Sequence, residues 1–248
     1  MEQAAASPPQ PKLQKILMLH GYAQTAKIFS QKMSSLRKAC RNVAELEFVD
    51  APHLIDLPPE WTTPESIAEA EADPALKPRG WWTVEKHNDG TETARGLEAS
   101  LDFLAEYMKN NGPFDALWGF SQGGALAAIL TAILESPECD LHPAFNGIKS
   151  VDYTISVAGL KSRDPSNAKY YTKPIQGRML QVIGRADAIV SDERSAELIN
   201  CAAHPRIEYH QGGHHTPSQA RWRAFFKDYV ESRGQDEKLA SPEADSAK

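Results

Sequence analysis

The chain has 248 residues, 41% hydrophobic and 24% charged, with a formal net charge of -6. That length and apolar share suit one globular domain, and the acidic balance offers no broad cationic surface for a nucleic-acid backbone or an anionic bilayer. Three separated cysteines, Cys40, Cys139 and Cys201, keep no metal-ligand spacing and leave an odd thiol, so the cytoplasm is expected, with the nucleus as a second compartment.

From the N-terminus, MEQAAASPPQPKLQ carries neither a basic leader nor an apolar stretch, which predicts no secretion signal and a disordered segment over 1–11. Apolar β-type runs then follow: KILMLH (15–20), ELEFVD (45–50), DALWGF (115–120), YTISVAG (153–159), MLQVIG (179–184) and RIEYH (206–210). Segments of helical period at 26–39, 96–110, 122–135, 192–202 and 217–232 separate them. Nearly continuous apolar strands are what helices on both faces of a sheet require. The expectation is an α/β fold with a mostly parallel sheet of six strands or slightly more.

Thr25 can cap the first helix, and Asn111-Gly112-Pro113 stops the second. The longest strongly apolar run, Ala125–Leu134, falls far short of the ~20 residues that span a bilayer and reads as a buried helix. Residues 57–82 break the rhythm with five prolines and three tryptophans, which predicts an insertion of loop and short helix over one sheet edge, a partial lid. After Arg233 the chain is polar, and 234–248 is expected to be a disordered tail.

Gly119-Phe120-Ser121-Gln122-Gly123 matches G-x-S-x-G. The bare pattern often arises by chance in a turn, but here an apolar strand precedes it and a small-residue helix follows, the setting that lifts a strained serine above a sheet. A serine hydroxyl is a poor nucleophile, so it needs a base in hydrogen-bond reach and a group that orients the base. Asp187 lies just past the fifth strand run. A lone aspartate there ordinarily caps a turn or helix, and Asp192 is its rival, although Ser191-Asp192 reads as the start of the next helix. After the last run comes Gln211-Gly212-Gly213-His214-His215, completing the chain order Ser, Asp, His.

Backbone amides of Tyr22 and Gln122 are the candidate donors to an oxyanion. His20, beside Gly21 at the first strand's end, is expected to fix its loop rather than act as a base. A metal held by His210, His214 and His215 would call for a carboxylate-rich motif that is missing around them, and adjacent loop histidines often point apart. A silent hydrolase-fold binding module would have no need of nucleophile, acid and base together.

With these residues in place, the chain resembles the FSH group, the family of serine hydrolases within the α/β hydrolase superfamily. LHGYAQTAKIF, Arg79-Gly80-Trp81-Trp82, GFSQGGALA, the Asp187 segment and GGHHTP are similar to its blocks, in the same order. The resemblance implies an α/β hydrolase domain over 12–233 that cleaves esters or thioesters of acyl chains, without metal or organic cofactor. It assigns Ser121 as nucleophile, Asp187 as orienting acid and His214 as base; the family has an apolar residue where this chain has His215. Some similar fungal members release products from polyketide synthases. An acyl-carrier or synthase partner is therefore the alternative to a free small-molecule ester. Trp81 and Trp82 either line an acyl pocket or pack the insertion onto the sheet.

Overall fold

The computed structural model describes residues 12–137, 140–235 and 239–243. The first half of the chain forms β1 (Gln14–Leu19), α1 (Ala26–Lys32), α2 (Ser34–Cys40), β2 (Ala44–Val49), β3 (His53–Leu54), α3 (Pro64–Ala72), β4 (Arg79–Gly80), β5 (Thr83–Lys86), β6 (Glu92–Arg95) and α4 (Leu97–Asn111). The second half forms β7 (Ala116–Phe120), α5 (Gln122–Glu135), β8 (Tyr153–Val157), β9 (Arg178–Gly184), α6 (Asp192–Ile199), β10 (Pro205–His210) and α7 (Ala220–Glu231).

The six apolar runs form one sheet in the order β10-β9-β8-β7-β1-β2, with every neighbouring pair parallel. Its central strands β7 and β8 are buried at every position, which is why they read as mostly apolar runs, with Thr154 and Ser156 the polar exceptions in β8. One face packs Phe29 of α1, Leu36 of α2 and the Trp222, Phe225 and Phe226 row of α7 against Met18, Trp118 and Ile155. The other packs α4 and α5 through Leu101, Leu104, Leu126 and Leu130 against Leu17 and Leu117. The chain therefore has the α/β architecture expected of it, a parallel six-stranded sheet covered by helices on both faces.

Three differences from the sequence expectation have local causes. The expected helix over 26–39 is two helices meeting at Met33 (φ -86, ψ 5), and the bend keeps both Phe29 and Leu36 on the same core layer. Within the insertion, Thr63 and Ser66 form a reciprocal capping box that starts α3, while Arg79-Gly80 pairs with His53-Leu54 to make a small antiparallel ladder. The tail is ordered where it is described: Leu239 O accepts Arg206 Nη2 at 2.9 Å, Ser241 Oγ donates to Glu208 at 2.5 Å, and Glu243 accepts Trp222 Nε1 at 2.9 Å. Residues 239–243 thus pack on β10 and α7 because these elements offer polar partners that the sequence pattern did not reveal. The expected N-terminal segment 1–11 and the rest of the tail from 236 lie outside the described residues.

Candidate active site

The strand order reverses at β1: the chain steps outward from β1 to β2, then returns to lay β7 parallel to β1 on its other side. At such a switch point the loops leaving adjacent strands diverge and open a crevice at the carboxyl ends. The β1 loop carries His20 to Gln24, and Ser121 follows β7 directly.

Ser121 has φ 54 and ψ -117, a strained conformation for a residue with a side chain, costing ~1–3 kcal/mol. The turn holds because the flanking glycines admit close backbone approach. A Cβ at Gly119 would lie 2.0 Å from Gly123 O, and one at Gly123 would lie 2.0 Å from Leu19 O. The Ser121 amide donates to Val157 O at 2.8 Å, tying the turn to β8.

His214 Nε2 lies 3.0 Å from Ser121 Oγ, and His214 Nδ1 lies 2.7 Å from Asp187 Oδ2. With Nδ1–H donating to the carboxylate, Nε2 is free to accept the serine proton. The imidazole is steadied by the Phe120 ring, 4.9 Å away. The other oxygen of Asp187 accepts the amides of Ile189 and Val190 at 2.8 and 2.9 Å. Burial raises the Asp187 pKa, but the Val190 amide, His214 and the Ile189 amide together outweigh it and hold the carboxyl below its ordinary range. Asp187 thus stays ionised where it faces the imidazole. The rival Asp192 begins α6 behind the Ser191 cap, as its sequence context suggested.

Gln122 opens α5, so its amide is among the helix N-terminal donors that lack intrahelical partners. Tyr22 follows Gly21, where an added Cβ would lie 3.4 Å from Ser121 Cβ. Both candidate donors therefore belong to backbone segments adjacent to the serine. His20 is wholly buried, and its ring is engaged at both nitrogens: Nδ1–H donates to Gly21 O at 2.8 Å and Nε2 accepts the Ala51 amide at 3.0 Å. Burial drives its pKa down to about 4, and the neutral ring stitches the β1 loop to the segment after β2.

Trp81 is 0% and Trp82 5% exposed, and both belong to the core beside Leu17, Leu97 and Leu101. They pack the insertion onto the sheet, and neither presents appreciable surface to a ligand. The Trp81 indole N–H donates to His20 O at 2.9 Å. Missing from the sequence account is the clamp around these tryptophans. The Gln122 side chain accepts the Trp81 amide at 2.9 Å and donates to Trp82 O at 2.8 Å, while Ser100 Oγ donates to Trp81 O at 2.5 Å. A polar residue on the buried stripe of a helix, as Ser100 is on α4, was the signal available.

The three histidines of the last loop do not converge. His214 faces Ser121 and Asp187, His210 accepts the Gly212 amide at 3.2 Å, and the His215 ring stands at 66° to that of His210.

A parallel six-stranded sheet with a serine elbow at its switch point defines an α/β hydrolase. The chain matches the family Serine hydrolase (FSH1) over residues 10–226 and belongs to it. It is 33% identical to Esterase OVCA2 of Xenopus tropicalis over 231 residues, covering 90% of this chain and 94% of that protein. Among solved structures, the fold is similar to that of esterase PE8 (TM-score 0.57, 20% identity, 87% of this chain and 92% of that one). It is also similar to Zea mays acyl-protein thioesterase 2 (TM-score 0.57, 15% identity, 92% and 96%). The chain is thus a hydrolase of a serine esterase family, and among its described residues no helix is long and apolar enough to cross a membrane.

Proposed function

We propose that the chain hydrolyses carboxylic esters or thioesters of acyl groups through Ser121, His214 and Asp187. The observation that carries this is the continuous hydrogen-bonded line from Ser121 Oγ through His214 to Asp187, with links of 3.0 and 2.7 Å. Ser121 Oγ attacks the acyl carbon as its proton passes to His214 Nε2, and Asp187 stabilises the imidazolium. Collapse of the tetrahedral adduct expels the alcohol or thiol, which takes that proton and leaves an acyl-enzyme. Water activated by His214 then releases the acid. The amides of Tyr22 and Gln122 hold the oxyanion in both halves.

An open groove of about 1050 Å³ between α1 and the insertion could take an acyl chain. Its walls mix apolar Ala23, Ile28, Ile55, Trp61, Ile67 and Leu76 with charged Lys27, Asp56, Glu69 and Asp73, and Ser121 and His214 are not among them. Ala23 adjoins the oxyanion donor Tyr22, and Trp61 and Ile67 are 63% and 47% exposed. We assign the acyl chain to these side chains rather than to Trp81 and Trp82.

A fluorophosphonate probe should label Ser121 in the folded protein and leave Ser121→Ala unlabelled. A panel of p-nitrophenyl esters and acyl thioesters should show turnover that the same variant lacks, and the thioester arm also reads capacity for carrier-bound substrates. Full activity in Ser121→Ala would overturn the proposal.

A further inference from the structure

We propose that His210 is a positioning residue, whose ring nitrogen Nδ1 sets the glycine turn that aims His214 at Ser121. This rests on the function proposed above and adds a residue to it.

His210 ends β10 and is 2% exposed. Its ring is held between His215 at 4.9 Å and Trp222 of α7 at 5.9 Å, centroid to centroid. Nδ1 accepts the Gly212 amide at 3.2 Å, so Nδ1 carries the lone pair and the proton of the neutral ring sits on Nε2. The same Gly212 offers its carbonyl to the Ala186 amide at 3.1 Å, and the His210 carbonyl accepts Arg185 N at 2.8 Å. Gly212 is therefore a junction, with one peptide group fixed by His210 and the next bonded to the residue before Asp187. His214 follows two residues later. A displacement at Gly212 would move base and acid relative to each other and to Ser121.

Packing alone does not explain a histidine here. Nε2 is buried and has no hydrogen-bond partner among the described residues, an arrangement that costs free energy. A phenylalanine would fill the same slot between His215 and Trp222 without that cost. What histidine supplies and phenylalanine lacks is the acceptor at Nδ1. An asparagine Oδ1 occupies nearly the same place relative to the backbone.

The test compares wild type, His210→Phe, His210→Asn and Ser121→Ala by kcat and KM on a p-nitrophenyl ester, thermal midpoint, and hydrogen exchange of the Gly212 amide. His210→Phe should lower kcat by about 10- to 100-fold with KM changed less than about 2-fold, keep or raise the midpoint, and unprotect the Gly212 amide. His210→Asn should recover most of kcat and the protection. Wild-type kcat in His210→Phe would overturn the proposal, as would equal losses in both variants. If His210→Phe does not fold, His210→Leu takes its place; failure of both to fold would make the residue structural and overturn the proposal too. Ser121→Ala separates the two levels. Turnover surviving in it refutes the underlying function, whereas turnover lost in Ser121→Ala but kept in His210→Phe refutes the positioning role alone.

Discussion

The side-chain amide of Gln122 spans the backbone of Trp81 and Trp82, accepting from the first at 2.9 Å and donating to the second at 2.8 Å. Gln122 is also the residue after the nucleophile. The Arg79-Gly80-Trp81-Trp82 segment and the serine turn are thereby one construction, and the tryptophans act on the site through its backbone.

Replacing Gln122 with leucine should orphan the Trp81 amide and the Trp82 carbonyl inside the core, at roughly 1–3 kcal/mol for each unsatisfied group. Urea denaturation should show a lowered midpoint with an unchanged slope. Because the helix start shifts with it, kcat should fall as well. A variant as stable as wild type would show that water or another donor replaces the clamp.

The triad geometry separates the adjacent histidines. His214→Ala should reduce kcat by up to about 10⁶-fold and Asp187→Asn by about 10⁴-fold, by analogy with other serine hydrolases. His215→Ala, which removes a ring packed against His210 but no partner of Ser121, should mainly change affinity or stability. Steady-state kinetics on one activated ester measures all three, and loss of turnover in His215→Ala alone would reassign the base.

Acid should weaken the fold through its buried neutral histidines. The pKa values of His20 and His210 are lowered by burial from 6.5 to about 4. The unfolded chain therefore binds more protons between those values, and stability rises with pH across that window. It is complete above about 6.5 and is lost as pH falls toward 4. The depressed Asp187 adds a loss at lower pH, since its contribution is present above the ordinary carboxylate range and disappears as the folded carboxyl protonates. Denaturant midpoints at pH 7.5, 5.5 and 4.5, taken as roughly spaced points across the window, should fall in that order. A flat profile from 7.5 to 4.5 would contradict neutral burial of these rings.

The groove beside Ala23 makes a chain-length prediction. Burial of each methylene contributes ~0.8 kcal/mol, so kcat/KM should rise up to about 4-fold per added carbon until the groove is filled. Trp61→Ala and Ile67→Ser should flatten that rise while leaving acetyl ester turnover unchanged. Equal sensitivity of acetyl and octanoyl esters to these substitutions would place the acyl chain elsewhere.

The six sheet strands were legible as residue runs: coverage of both faces makes the inner strands β1, β7, β8 and β9 largely apolar, while the edge strands β2 and β10 alternate Glu45, Glu47, Arg206 and Glu208 with apolar residues. β3 to β6 were not, since pairs such as His53 with Gly80 and Val84 with Ala94 join short mixed-polarity segments with no alternation to detect. The break at Met33 was hidden because apolar spacing continues through it. Ser121 and Asp187 were singled out by position after strand runs, a rule of local sequence, whereas the choice of His214 over His215 came from the resemblance to the FSH blocks.

Sequence by itself determined the architecture and the chemical types available at the strand ends: an elbow that only glycines at 119 and 123 permit, then an acid and a base in later loops. Tertiary structure decided which polar groups meet. It put 3.0 Å between residues 93 positions apart, buried Trp81 and Trp82 instead of exposing them, and turned His210 inward while aiming His214 at Ser121. The reason is that strand and turn propensities act over a few residues. Which histidine of three faces the serine depends on the hydrogen bonds between loops, such as Gly212 to Ala186, that exist only once β9 and β10 lie side by side.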